Sequence, residues 1–362
     1  MASSKRLLHL DLIKILAIFL VIFNHTSDLG FSLFAAYPRG SARYVLYLVP
    51  SVFCKVAIFL FFMVSGALLL DRDYTLRDIW TKKIPRIAGA LLLVSVLTFL
   101  WRENSNFSEG FLPMLRHFFV GLYTGSIDTI FWYLYAYLAF LMALPVLRAI
   151  VKALPSSGYQ YIILLYIAFE LIGALEYLVF RGAHTLTHYL IPSFLFQYVF
   201  FYPLMGYYLE HVLPPASRTG KKLALLNAGG LLTVLAGGFL TWFKHGVLGY
   251  FTIADTSNFM LFLIFIPCAA VYLDCRALLD AHPPGKRMSR FLTVAGSCVF
   301  GIYLFHIYFL FMGPFPDIPA FLQSAAHFND FGAAVVYCLF AMLASGLLTL
   351  VLRQIPGIRK LL

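Results

Sequence analysis

The chain has 362 residues, of which 61% are hydrophobic and 12% charged, and it carries a formal net charge of +11. A soluble domain is charged at about a quarter of its positions, so this composition, with a mean hydropathy of +0.85, excludes an ordinary globular protein and leaves a multi-span membrane protein. The basic excess would suit nucleic acid if it were gathered on one soluble face, but it is spread over short segments between apolar runs, so no nucleic-acid partner is expected.

Apolar windows of about 20 residues fall at 7–29, 50–70, 87–101, 129–151, 159–179, 191–211, 222–243, 256–275, 291–313 and 330–353. The expected fold class is therefore all-α: a polytopic membrane helical bundle of about ten transmembrane helices, forming a single domain over 1–362. Lys5 and Arg6 before the first window, with Ala35-Ala36 after it, resemble a signal peptide. The run is longer than a signal core and is interrupted by Asp11 and Lys14, so it is expected to be retained.

The first window carries a polar stripe. At about 100° per residue, Asp11, Lys14, His25 and Asp28 fall within roughly a third of the helix circumference. Lys14 and His25 project almost the same way, about 16 Å apart along the axis. Ionisable groups inside a span are costly and usually face a bundle interior or a water-filled path. His25 in neutral form can accept a proton from a hydroxyl, with Asp28 holding its other ring nitrogen. The plain alternative is a buried histidine satisfied by a neighbouring helix, and for Lys14 a structural pair with Asp11 three residues back.

In the second window Ser65-Gly66 permits close backbone approach. The segment that follows holds Arg77, Lys82, Lys83 and Arg86, which would neutralise a phosphorylated ligand or, more simply, meet lipid headgroups as a basic loop. The third window is short, so its helix is expected to take in part of that basic segment. Phe131 to Tyr135 opens the fourth at its outer end. Such aromatic runs belong to interfacial belts, and Trp132 and Tyr133 would also serve as a ring platform for a sugar. Glu170, Glu176, Gln197 and Glu210 are further polar points in the fifth and sixth windows. His306 lies in the middle of the ninth, where it needs a partner.

Lysine and arginine placement sets the orientation. With both termini cytoplasmic, nineteen of the 27 basic residues lie on inside segments, six on outside segments, and Lys14 and Lys55 within spans. The outside loops include a long one near 102–128 and a proline-bearing one near 314–328 with Pro314, Pro316 and Pro319. Asn106-Phe107-Ser108 matches a glycosylation sequon, a short pattern that arises by chance. Cys54, Cys268, Cys275, Cys298 and Cys338 lie in or at the ends of apolar windows without metal-ligand spacing, so neither a disulfide framework nor a metal is expected. There is no repeat of fixed period.

Taken in order, these motifs resemble the acyltransferase-3 family of integral membrane acyltransferases. Asp11, Lys14 and His25 are similar to its opening aspartate, basic residue and histidine. Ser65-Gly66 resembles its serine-glycine pair, and Lys83-Ile84-Pro85-Arg86 its basic pair spaced three apart. Phe131-Trp132-Tyr133-Leu134 and Tyr303-Leu304-Phe305-His306 resemble its aromatic and tyrosine-to-histidine segments. Lysine stands for the commoner arginine at Lys14 and Lys83, which keeps charge and loses the planar fork.

The resemblance implies transfer of an acyl group, most often acetyl, from cytoplasmic acetyl-coenzyme A to a hydroxyl of an extracytoplasmic or lipid-linked glycan, by a stand-alone member in the cytoplasmic (inner) membrane. It implies catalytic roles for His25, Lys14, Asp11 and Asp28, with His25 as general base or transient acyl carrier. Cofactor contacts would come from Ser65, Gly66, Arg77, Lys82, Lys83 and Arg86, and substrate contacts from Trp132, Tyr133, Tyr303 and His306. The competing readings are a transporter or exporter of a small polar or glycan-related solute using the same stripe, and a structural or sensory subunit without turnover.

Overall fold

The computed structural model describes residues 6–102, 110–180, 190–215, 220–250, 259–312, 318–325 and 329–362. The sequon at 106–108 lies outside the described residues, as do Lys5, Arg181, Arg218, Pro314 and Pro316. The described elements are all helical. In chain order the principal helices are α1 (Leu8–Asn24), α2 (Ala42–Phe53), α3 (Val56–Leu69), α4 (Ile84–Arg102), α5 (Phe111–Thr124), α6 (Trp132–Ala153), α7 (Ser156–Phe180), α8 (Tyr198–Tyr207), α9 (Gly220–Leu248), α10 (Phe265–Ala281), α11 (Lys286–Ile307) and α12 (Asp330–Leu352).

Among the described residues, seven helical stretches are long and apolar enough to cross a membrane: Ala42–Leu69, Leu76–Arg102, Thr129–Ala153, Ser156–Phe180, Gly220–Leu248, Lys286–Phe311 and Asp330–Leu352. The protein is a multi-pass membrane protein. The other three expected spans hold shorter helices. α1 and α10 have 17 residues each. α8 has 10, carries Pro203 inside it and continues as the π turn Tyr208–Val212.

Several boundaries differ from the sequence reading, each for a local reason. The second helix begins at Ala42 rather than near 50, because the Ser41 hydroxyl accepts from Tyr44 N and caps it. The basic segment after Thr75, which the third helix was expected to take in only in part, is helical throughout. A capping box between Thr75 and Asp78 starts a turn that passes through the π segment Ile79–Lys83 directly into α4. The long loop near 102–128 contains α5, which ends at Gly125 with φ +69°, a left-handed cap that favours glycine.

α1 is the axis of the bundle and packs on α11, α3, α10 and α12. Its buried side chains, from His9 and Leu10 to Phe23, cover most of its circumference, and the remaining sector of Leu12, Ile15 and Phe19 is partly buried. α7 lies at the periphery, with Leu164 and Leu175 more than half exposed and facing lipid.

α3 and α8 cross at backbone contact. A methyl group added at Gly66 would overlap the carbonyl of Pro203, and one at Gly206 would overlap that of Met63. Small residues permit such an approach in lipid, where packing rather than water exclusion joins helices. Gly206→Ala is expected to destabilise the protein by about 1–3 kcal/mol through overpacking, measured as a lowered unfolding midpoint in detergent. An unchanged midpoint would mean that the crossing relaxes freely.

Candidate active site

The lower end of α1 is organised by one carboxylate. Asp11 is 2% exposed and is held by two cations, Arg6 Nε at 2.6 Å and Lys14 Nζ at 2.6 Å. Arg6 also donates to the Thr293 carbonyl at 3.0 Å, which ties this end of α1 to α11. The hydrogen bond to Asp11 raises the Arg6 guanidinium above its ordinary pKa. α11 comes this close because residue 296 is glycine: a methyl there would stand 2.6 Å from the Asp11 carboxylate. Asp11 and Lys14 thus form the pair foreseen as the structural alternative, with Arg6 as a further partner.

Above Asp11 lies a cavity of about 400 Å³, lined by Lys14, Ser65, Arg86, Tyr133 and Tyr137 together with Arg353 and Ser297. Of the expected cofactor residues, Ser65 and Arg86 reach it. Gly66 instead forms the α3–α8 crossing. Lys82 pairs with Asp78 at 2.6 Å, Lys83 Nζ sits 3.9 Å above the Tyr74 ring, and Arg77 is exposed outside the cavity. The reason is local: in a helix, residue 82 lies one turn from Asp78 and finds it first. Arg353, Ser297 and Tyr137 were not singled out by the sequence reading. Tyr137 was detectable as one helical turn beyond Tyr133, whereas Arg353 looked like an ordinary basic residue at a span end.

The upper end of α1 carries the second cluster. The helix ends at Asn24 because Thr26 closes it, donating to Phe23 O at 2.6 Å and accepting from Phe31 N at 3.0 Å. Ser27 then turns the chain with φ +49°. Asp28 is therefore off the stripe. It is exposed, and its carboxylate accepts from the Ser32 hydroxyl at 2.9 Å rather than meeting His25.

The partner of His25 is His306: Nδ1 of the first lies 3.0 Å from Nε2 of the second. His306 is fully buried, and its Nδ1 faces the carbonyls of Tyr303 at 2.7 Å and Ile302 at 3.2 Å. Carbonyl oxygens only accept, so His306 Nδ1 carries a hydrogen. In the neutral pair His306 Nε2 is then an acceptor, His25 Nδ1 must donate to it, and His25 Nε2 keeps a free lone pair. This assignment follows from the hydrogen-bond partners alone.

Tyr303 and Tyr133 connect the two clusters. Their rings meet edge-on with centroids 5.2 Å apart, and the Tyr303 hydroxyl donates to Ile130 O at 2.6 Å. Trp132 is 43% exposed and packs on Tyr198 outside the cavity. Of the other polar points, Glu210 joins His9, Tyr272 and Arg276 in a separate buried network, and the Glu170 carboxylate faces Leu263 N at 3.4 Å. No group of three His, Cys, Asp or Glu side chains placed to hold a metal occurs among the described residues.

A family model described as "Acyltransferase domain" matches residues 7–350, nearly the whole chain. No curated protein and no solved structure matches the chain.

The tautomers are open to direct measurement. In ¹⁵N-histidine spectra of the protein in nanodiscs, His25 is expected to show a protonated Nδ1 and a bare Nε2, with His306 protonated at Nδ1. In His306→Ala the His25 tautomer preference should be lost. A bare Nδ1 on His25 in the unsubstituted protein would refute the assignment.

Proposed function

The chain belongs to the acyltransferase-3 family and is a membrane acyltransferase; we propose that it moves an acyl group, in the simplest case acetyl, from acyl-coenzyme A to a hydroxyl of an extracytoplasmic or lipid-linked glycan. The observation that carries this reading is the 3.0 Å contact of His25 Nδ1 with a His306 whose own Nδ1 faces the Tyr303 carbonyl, from which a free lone pair on His25 Nε2 follows. We place both termini in the cytoplasm, ten crossings in the inner membrane, and the donor on the side of Lys14 and Arg86.

The donor residues fit an anionic, elongated ligand. Lys14, Arg86 and Arg353 supply three positive charges around one cavity, and Arg86 and Arg353 both donate to the main-chain oxygen of Leu362, at 2.8 and 3.1 Å. Each guanidinium keeps further N–H donors beyond that contact, and a phosphate can engage them in bidentate fashion. When bound, acyl-coenzyme A supplies a thioester carbonyl activated toward attack.

His25 Nε2 then accepts the acceptor hydroxyl's proton as the oxygen attacks, which is general-base catalysis. The positive charge that develops on His25 spreads through the Nδ1 hydrogen bond to His306, whose other nitrogen is already anchored on carbonyls. The same proton is available to return to the departing sulfur. His306 is thus a positioning residue in this reading, moved from the substrate-contact role expected for it. Lys14, about 16 Å from His25 by helix rise, acts on the donor and not on the reacting atoms. Asp11 holds Lys14.

His25→Ala is expected to lower transfer of radiolabel from acetyl-coenzyme A to membrane glycan by about 10²- to 10⁴-fold, without loss of the folded protein. Asp28→Asn, altering an exposed group bonded to Ser32, should leave turnover within about twofold. Near-normal transfer by His25→Ala would end the mechanism. Absence of any label transfer by the unsubstituted protein, with solute movement in its place, would favour the transporter reading.

A further inference from the structure

Lys55 lies midway along the span Ala42–Leu69, where α2 gives way to α3. A cation at that depth is costly and calls for an anionic partner. Lys55 takes part in no ion pair among the described residues. Its Nζ donates to Asn24 Oδ1 at 2.8 Å and stands 4.2 Å from the centre of the Phe31 ring. Both neighbours are neutral, so they soften the charge without cancelling it.

This contact fixes the orientation of the Asn24 amide. An ammonium group only donates, so the atom that faces it is the amide oxygen, and the Cys54 thiol, a weak donor 3.9 Å away, faces the same oxygen. The Nδ2 hydrogens therefore point away from Lys55. No acceptor among the described residues meets them, and Nδ2 is not sealed in the core. Asn24, His25 and Lys55 each keep accessible surface, whereas Phe23, Thr26, Cys54 and Val56, which flank them in the chain, are buried. Asn24 and His25 have Cα atoms about 3.8 Å apart, and the Lys55 charge acts on the His25 imidazole. The three polar side chains thus border one accessible space.

We propose that Asn24 is a catalytic residue of the acyl transfer, its Nδ2 donating to the carbonyl oxygen of the donor thioester as negative charge develops there, and that Lys55 is the positioning residue that holds the amide in this orientation and supplies a positive charge beside it. The inference rests on the acyl-coenzyme A reading above and adds to it the oxyanion-stabilising group that His25 does not provide. As the acceptor oxygen bonds to the thioester carbon, its proton passes to His25 Nε2 and the carbonyl electron pair moves onto the carbonyl oxygen, facing Asn24. When that pair returns, the carbon–sulfur bond breaks and the sulfur leaves with the proton from His25, giving the ester and free coenzyme A. A donor already aimed at the developing charge, in a site poor in water, is among the stronger contributions to such a step. The uncancelled cation of the resting protein fits this role, because its anion forms only during the reaction.

The test uses the full-length protein in nanodiscs, read by label transfer from acetyl-coenzyme A at varied donor concentration. Asn24→Asp keeps the shape of the side chain and gives Lys55 a carboxylate partner, but it removes both N–H donors and puts negative charge where the oxyanion forms. It is expected to lower kcat by about 10²- to 10³-fold, with KM for acetyl-coenzyme A within about threefold and an unfolding midpoint unchanged or raised. A contact that is only structural predicts near-normal kcat in an equally stable protein, and that result overturns the proposal while leaving the acyl-coenzyme A reading standing. Lys55→Met should lower kcat by about tenfold, and Lys55→Arg, which keeps the charge and a donor to the amide oxygen, should recover most of the loss. The carbonyl stretch of ¹³C-labelled acetyl-coenzyme A bound to the unsubstituted protein without acceptor should lie below its frequency in solution. If Asn24→Asp does not fold, that band decides alone, and an unshifted carbonyl overturns the role of Asn24. Absence of both transfer and coenzyme A binding by the unsubstituted protein overturns the two readings together.

Discussion

Every ionisable group buried on α1 must find a partner inside the bundle, and the arrangement of the other helices follows from where those partners sit. A bare charge or an unmatched ring nitrogen at membrane depth is costly enough to unmake a fold. Going up the helix, His9 meets Glu210 at 2.9 Å, Asp11 meets Lys14 and Arg6, Asn24 accepts from Lys55 at 2.8 Å, and His25 meets His306. The partners beyond α1 come from the π turn after α8, the start of α3 and the last turn of α11. Three polar contacts to other elements therefore fix the rotation and height of α1 against its neighbours, which apolar packing in lipid alone does weakly.

Close backbone approach supplies the complementary constraint. Glycines 66 and 206 bring α3 and α8 together, Gly296 admits the Asp11 carboxylate, and Gly301 faces Thr349 of α12 where a methyl would overlap the side chain. Between these approaches, large side chains such as Phe61, Tyr133, Tyr137 and Phe300 line the cavity between α1, α3, α4, α6 and α11. The π turns at 79–83, 208–212 and 308–312 add an extra residue to a helical turn. The first directs the chain into α4 just before Arg86, the second presents Glu210, and the third follows His306.

Much of this was legible in the sequence because it depends on spacing along one helix. Asp11, Lys14 and His25 stand where a 3.6-residue period places them, and His306 was recognisable as an intramembrane histidine in need of a partner. What failed was everything settled by a short-range competitor or by a distant element. Asp28 left the stripe because the Thr26 side chain ended the helix and Ser27 turned it. Lys82 and Lys83 were satisfied by Asp78 and Tyr74, one from each side of the capping turn, before any ligand was in question. The identity of His25's partner required 281 residues of separation to close. Arg353 was hidden among basic residues whose number is explained by topology. Hydropathy windows located helices at all ten places, but α1, α8 and α10 are too short in the structure for length alone to make them crossings.

The two clusters on α1 are separated by about three turns of helix, yet they share a wall. Tyr133 lines the cavity beside Lys14, and its ring rests edge-on against Tyr303. Tyr303 is tethered twice, by its hydroxyl to Ile130 O at the start of α6 and by its carbonyl to His306 Nδ1. The second tether is the one that sets the tautomer of His306 and, through it, leaves the lone pair of His25 free. A single residue on α11 thus bounds the path by which a donor would approach and fixes the protonation pattern at the place where it would react. Displacing the Tyr303 ring need not disturb the carbonyl, because the ring and the backbone are joined through rotatable side-chain bonds. The fold can therefore widen the aromatic wall between cavity and histidine pair while keeping His25 in the form that accepts a proton.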